Sequence, residues 1–257
     1  MVNDKELAKR VFSCIDNTTL NGTDSDVHVE EFCRRTREMR VSPLFSHLSP
    51  LNVAAVCVYP RFVSVARKTL EGSDIRVASV AGAFPHGQLP LKLKVEEVKY
   101  AVGEGADEVD IVISRGALLA GEENRVRDEV SMMKEACQDK ILKVILETGE
   151  LPSPSLIKKA SQLAIDGGAD FIKTSTGKIS TGATLEAAEV MLECIAENVK
   201  INKKTVGFKA AGGISSPEEA LAYAEIAKKI MGDNFVNNQT FRIGASRLTD
   251  HLYSVLT

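Results

Sequence analysis

The 257-residue sequence contains no tryptophan, and phenylalanine and tyrosine together supply only 5% of it. Its core must therefore be aliphatic and alanine-rich, as in α/β proteins. It also lacks an excess of one charge. With 32 basic against 35 acidic side chains, the formal net charge is -3, so the basic surplus of nucleic-acid and anionic-membrane binders is missing. No apolar run approaches the roughly 20 residues of a membrane span, and the opening MVNDKELAKR carries no apolar signal region. The five cysteines (Cys14, Cys33, Cys57, Cys137, Cys194) are scattered, odd in number and without a CxxC. That argues against a disulfide framework or a zinc site and for a reducing compartment. His28, His47, His86 and His251 show neither HxH nor HExxH spacing, which disfavours a metal-dependent mechanism. The expectation is a soluble cytoplasmic protein with no nucleic-acid or membrane partner. With 44% hydrophobic residues the chain is not a disordered one.

What is present is a repeat. Short β-branched runs occur at Cys14–Asp16, Val53–Val58, Ile75–Val80, Val109–Ile113, Ile141–Leu146, Asp170–Thr174, Val206–Lys209 and Phe241–Gly244. Most read as apolar on both faces, like strands of a buried parallel sheet. Helical patterns intervene at Val95–Tyr100, Val126–Cys137, Ser155–Ile165, Leu185–Glu197 and Pro217–Met231. The period of about 30 residues is that of a βα unit. Gly105-Ala106-Asp107-Glu108-Val109-Asp110 parallels Gly168-Ala169-Asp170-Phe171-Ile172-Lys173. In each, a glycine ends a helix where positive φ is cheap, so Asp110 and Lys173 occupy equivalent places and should point the same way. Eight such units predict a (β/α)8 TIM barrel, α/β in class, over residues 1–257 as one domain. An open doubly wound sheet is the alternative, weakened because no GxGxxG follows the first strand. The irregular stretch Arg37–Leu51, with Pro43 and Pro50, joins a helix to a strand and so belongs at the bottom of a barrel. It reads as structural filler or a contact surface.

Lysine inside strands is the anomaly. Lys143, Lys173 and Lys209 all lie in strand segments, where lysine is depleted and costly to bury unpaired. Catalytic side chains of barrels converge at the carboxyl ends of the strands. A neutral amine there attacks carbonyls to form a Schiff base. An ordinary lysine, titrating near 10.4, is only about one part in a thousand neutral at pH about 7.4. Lowering its pKa to about 7 takes roughly 4–5 kcal/mol, more than burial or a second ammonium comfortably supplies alone, so two lysines together make chemical sense. Asp110 could then shuttle protons. Gly212-Gly213 before a helix start, Gly244-Ala245-Ser246 before the last helix, and Gly177-Lys178 sit where barrels bind phosphate. His86 reads as a packing or loop-anchoring residue, and Cys57 as an inert buried thiol or a pocket residue.

At these residues the sequence resembles the deoxyribose-phosphate aldolases, class I (Schiff-base) enzymes. The matching pieces are Asp16-Asn17-Thr18-Thr19-Leu20, Val56-Cys57-Val58-Tyr59-Pro60-Arg61-Phe62, Phe84-Pro85-His86-Gly87, Gly105 to Asp110, Lys143 to Leu151, Phe171 to Lys178, Val206 to Gly213 and Gly244-Ala245-Ser246. The resemblance implies reversible cleavage of 2-deoxy-D-ribose 5-phosphate to acetaldehyde and D-glyceraldehyde 3-phosphate. It places Lys173 on the Schiff-base lysine, Lys209 on the second lysine that lowers its pKa, and Asp110 on the proton-relay aspartate. Asp16 and Lys143 fall on supporting polar positions, and Thr18 and Cys57 on substrate-pocket positions. Thr176, Gly177, Lys178, Gly212, Gly213, Gly244 and Ser246 fall on the substrate- and phosphate-binding loops. It implies no metal or organic cofactor, small phosphorylated sugars and aldehydes as partners, and a homodimer.

The chain departs from the family in places. Ala210 stands where many members have proline, and Ser215 where they have arginine, which would weaken phosphate binding. Arg247 replaces a common serine and could compensate. Some members end in a mobile tail with a terminal tyrosine, whereas this chain stops at Thr257 and Tyr253 reads as a helix residue. The first crossover is also longer than usual. Two rival readings follow: an aldolase-like barrel with weak or no turnover that binds or regulates, and a Schiff-base aldolase or transaldolase with another donor.

Overall fold

A computed structural model describes residues 4–43 and 49–257. Eight parallel strands close on themselves in sequence order: β1 Ile15–Thr18, β2 Ala55–Val58, β3 Arg76–Ala81, β4 Glu108–Val112, β5 Ile141–Ile145, β6 Phe171–Lys173, β7 Gly207–Ala211 and β8 Phe241–Ala245. The seam pairs Asp16 with Gly244. This is the expected (β/α)8 TIM barrel, and no strand end departs from its sequence-based place by more than two residues. The outer layer is α1 Lys5–Ser13, α2 Asp26–Glu38, α3 Val63–Thr69, α4 Leu91–Gly103, α5 Arg115–Leu119, α6 Glu123–Cys137, α7 Pro154–Asp166, α8 Leu185–Asn202, α9 Pro217–Met231 and α10 Leu248–Leu256. Tyr253 is indeed a helix residue, packed near the Phe12 ring. Among the described residues no helix is long and apolar enough to cross a membrane.

Local sequence explains the helix starts. Ser25, Ser153, Thr184 and Ser216 each accept a bond from the backbone amide three residues on, relieving one unpaired donor at the helix N-terminus. At α9 the side chain of Glu219 returns the bond to complete a capping box. Gly105 and Gly168, with φ of +102° and +95°, make the two equivalent turns that bring Asp110 and Lys173 into phase.

One expectation is corrected. Apart from β2, the strands are apolar mainly on their outward face. Outward residues such as Val56, Val77, Val109, Ile111, Leu142, Val144, Ile172, Phe208 and Ile243 join the core between sheet and helices. The inward face instead carries Asp16, Glu108, Asp110, Lys143, Lys173, Lys209 and Arg242, all buried. A closed sheet can bury this much charge only because the charges pair with one another. A small apolar cluster of Leu20, Ala55, Cys57, Ala78 and Val80 occupies the β2 and β3 side of the interior.

The crossover between α2 and β2 is pinned by an isolated antiparallel bridge of Val41 and Leu51. It precedes a strand, so it lies at the amino-terminal mouth, as expected. Residues 44–48, His47 among them, lie outside the described residues.

Candidate active site

Strand register builds the site. Asp110 on β4 pairs with Lys143 on β5, and Lys173 on β6 with Lys209 on β7, so all four side chains point inward at similar depth. The Asp110 carboxylate gathers the three amines. Oδ2 accepts from Lys173 Nζ at 2.8 Å and Lys209 Nζ at 2.7 Å, and Oδ1 from Lys143 Nζ at 2.9 Å. Lys209 also reaches Asp16 Oδ2 at 2.5 Å, and Lys143 lies 3.2 Å from the same oxygen. The ammonium groups of Lys173 and Lys209 thus share one oxygen atom, on the same side of the sheet.

The charges follow from this geometry. Burial pushes the Lys173 pKa below the usual 10.5; Asp110 opposes this, and the Lys209 charge adds to the lowering. Burial is thus the main lowering cause, with the second amine contributing less. Lys209 and Lys143 go the other way: burial disfavours their charge, but Asp110 and Asp16 outweigh it and hold both protonated, with Glu108 helping at Lys143. Lys143, Lys173 and Lys209 hold Asp110 well below the usual carboxylate range against its burial. Lys143, Lys209 and Arg242 do the same for Asp16. Burial raises the Cys57 thiol.

Above the cluster opens a cavity of about 190 Å³, lined by Thr18, Leu20, Asn21, Lys173, Thr176, Gly177, Lys178, Ala211 to Ser215 and Gly244 to Arg247. It is smaller than the roughly 300–1,000 Å³ of drug-sized sites, which suits a small metabolite. Of the buried lysines, Lys173 alone reaches it; Lys209, Lys143, Asp110 and Asp16 lie beneath. Cys57 is fully buried in the inner apolar cluster. Ala210 faces outward into the helix layer.

Several expected contacts have partners within the protein. The Thr176 hydroxyl donates to Glu147 Oε2 at 2.5 Å, its amide reaches Glu147 Oε1 at 3.1 Å, and its oxygen accepts from the Lys178 amide. Lys178 Nζ donates to the Leu20 carbonyl, tying the loop after β6 to that after β1. Gly212, at φ +92°, lies so close to Gly177 and Gly182 that a Cβ would sit 3.3 and 3.0 Å from their Cα atoms. Gly244 also makes room for the lysine: a Cβ there would sit 2.9 Å from Lys209 Cε. Glu219 bonds the amides of Ser215 and Ser216 at 2.8 and 3.0 Å, so the start of α9 is already capped. The start of α10 differs, because its N-cap Arg247 makes no side-chain capping bond. His86 is exposed outside the cavity, and its carbonyl accepts from Arg115.

Three residues of this region escape the sequence reading. Arg242 Nη1 donates to Asp16 Oδ1 at 2.6 Å, and its Nη2 to Glu108 Oε1 at 2.7 Å. Glu108 Oε2 lies 2.5 Å from Lys143 Nζ. Glu147, in left-handed backbone at φ +56°, joins Thr176 to Arg115. Glu108 stands two residues before Asp110, and Arg242 two before Gly244, the spacing that puts them on the same strand face. Among the described residues no group of three His, Cys, Asp or Glu side chains is placed to hold a metal ion.

Solved structures share this fold. A protein from Coccidioides immitis assigned as a deoxyribose-phosphate aldolase is 27% identical, with 96% of this chain and 86% of that chain covered and a TM-score of 0.81. An aldolase designated QR15 is 30% identical, with 100% and 97% covered and a TM-score of 0.77. A Toxoplasma gondii protein assigned the same activity shares the fold at 22% identity, with 98% and 96% covered and a TM-score of 0.83. The family model of the DeoC/LacD aldolases matches residues 10–248, and the chain belongs to that family.

Proposed function

We propose that this aldolase reversibly cleaves 2-deoxy-D-ribose 5-phosphate to acetaldehyde and D-glyceraldehyde 3-phosphate through an imine on Lys173. The observation that carries the reading is that Lys173, alone of the three lysines buried inside the barrel, reaches the cavity and is the one whose pKa is lowered. The neutral amine attacks C1 of the open-chain sugar, and loss of water gives a protonated imine. The 3-hydroxyl gives its proton to Asp110 through an intervening water. The C2–C3 bond breaks with its electron pair flowing into the imine, so glyceraldehyde phosphate departs and an enamine remains. Protonation at C2 and hydrolysis release acetaldehyde and return the lysine. Burial, with the charge of Lys209 adding to it, lowers the Lys173 pKa, while Asp16 and Lys143 hold Lys209 and Asp110 in place. Thr18 shapes the sugar pocket, whereas Cys57 is buried in the inner apolar cluster and does not line the cavity.

The phosphate sits among Gly177, Lys178, Gly212, Gly213, Gly244 and Ser246, against the start of α10, where unpaired amides favour an anion. Arg247 supplies the cation there. The 2.8 Å bond of Glu219 to the Ser215 amide makes the neighbouring helix start the poorer anion site.

Borohydride reduction in the presence of acetaldehyde tests the proposal. Lys173 should gain an ethyl group and the Lys173→Ala variant nothing; an unmodified wild type would favour a binding or regulatory barrel instead. Cleavage of deoxyribose phosphate should far exceed that of fructose 1,6-bisphosphate, and the reverse ranking would point to another donor.

A further inference from the structure

The barrel interior seals in more positive than negative charge if every lysine is protonated. Its fully buried carboxylates are Asp16, Glu108 and Asp110, and its fully buried cations besides Lys173 are Lys143, Lys209 and Arg242. Those three cations match the three carboxylates one for one. Lys173 is the remaining cation, and it bonds a single carboxylate, Asp110. Arg76 adds a contact to Glu108 at 3.0 Å, but from the rim, where its side chain is 32% exposed and water screens it.

We infer that Arg242 and Glu108 are positioning residues that set the charge state of Lys173 without touching it. Arg242 cannot lose its proton. It is fixed by bonds to the Asn238 carbonyl at 2.7 Å, to Asp16 at 2.6 Å and to both oxygens of Glu108 at 2.7 and 3.0 Å, with its guanidinium 5.6 Å from the centre of the Phe171 ring. That leaves the second oxygen of Asp16 for Lys209, and Lys143 shares Oε2 of Glu108 with Arg242. Both lysines are thereby anchored as cations. Asp110 then faces three amines, and the proton on Lys173 is the one in excess. The groups facing Lys173 are Asp110 from β4, Lys209 from β7 and Cys57 from β2, with Lys143 from β5 and Asp16 from β1 behind Asp110. Lys178 and Arg247 line the cavity on its open side. The catalytic meaning rests on the imine reading above, since only a neutral lysine attacks a carbonyl; the charge argument does not.

The test therefore uses no sugar. Competitive acetylation of Lys173 by acetic anhydride, followed across pH by peptide mass spectrometry, reports the pKa of that amine directly. Arg242→Gln removes a positive charge and should move the profile to higher pH; Glu108→Gln removes a negative one and should move it to lower pH. Each shift is expected to be on the order of one pH unit. The double variant should return close to wild type, and Arg242→Lys, which keeps the charge, should stay there. General loosening of the fold would not produce opposite shifts. Shifts of the same sign, or none, overturn the inference. Should Arg242→Gln fail to fold, Glu108→Gln decides alone: an unmoved or alkaline profile overturns it. An inactive wild type with opposite shifts defeats the imine reading and spares this one. Turnover with unmoved profiles does the reverse.

Discussion

Replacing Lys209 by methionine probes the electrostatics at the reacting amine most directly. Lys173 and Lys209 approach one oxygen of Asp110 at 2.8 and 2.7 Å, which for a roughly tetrahedral arrangement sets the two nitrogens about 4.5 Å apart. Two unit charges at that separation repel by about 3–4 kcal/mol at an effective dielectric near 20, equivalent to two to three pKa units. Methionine keeps the length of the chain and removes the charge, so the pull of Asp110 on the Lys173 proton is opposed by burial but no longer by a neighbouring ammonium. The neutral fraction of Lys173, and with it borohydride trapping of acetaldehyde, should fall about 100-fold or more near pH 7 and then climb about tenfold per pH unit. Trapping rate and sugar cleavage are measured together from about pH 6 to 10, with a thermal melt to separate lost stability from lost chemistry. A deficit that stays constant across that range refutes the reasoning, because it means that Lys209 acts on orientation or a later step.

Asp110→Asn should lower turnover by about 10²–10⁴-fold, the usual size of a lost acid–base group, while imine trapping on Lys173 remains detectable; loss of trapping would place Asp110 earlier in the sequence. Asp16, Glu108 and Asp110 all titrate below their ordinary values, so their pairing stabilises the fold above about pH 4 and is lost as the pH falls through the folded values. Lys173 has the opposite sign: between its lowered value and 10.5 the unfolded chain binds a proton that the folded chain does not, and stability rises with pH there. Hence Lys173→Met should raise the melting temperature at neutral pH, whereas Lys143→Met, which strips a partner from three carboxylates, should cost about 3–5 kcal/mol; equal effects in a thermal melt would contradict this assignment of charges. Arg247→Ala should raise KM for the phosphorylated sugar about tenfold, the scale of one charge-assisted hydrogen bond, with little change for unphosphorylated deoxyribose; an equal loss for both sugars would take Arg247 away from the phosphate.

The barrel was legible because eight aliphatic runs recur at the spacing of βα units, and the outward half of each strand carries that signal. Outside β2 the inward half was misread as apolar, since a three- to six-residue strand shows only two or three inward positions and a lone charge there looks like a strand end. Lys173 and Lys209 stood out because lysine is out of place in a strand. Asp110 stood out because the repeated Gly-Ala-Asp turn puts it in phase with Lys173, and their 2.8 Å bond shows that they meet. Glu108 and Arg242 needed one more step, counting back two residues from Asp110 and Gly244. Glu147 had no sequence signal, because its left-handed backbone is imposed by the bonds it makes to Thr176 and Arg115 rather than by a glycine. The weight of burial relative to the second amine is a matter of depth and distance, which no pattern of letters encodes.

The buried charges that face the barrel interior are divided along the chain by sign. Asp16 and the two acids of β4 belong to the first four strands, while Lys143, Lys173, Lys209 and Arg242 belong to the last four. Apart from Arg76 at the rim, the amino-terminal half-barrel offers an acidic concave wall and the carboxyl-terminal half a basic one. Neither wall can bury its charges without the other, because each carries the counter-charges of its opposite. Attraction between the two walls favours their closure on each other, and either half paired with a copy of itself would bring like charges face to face.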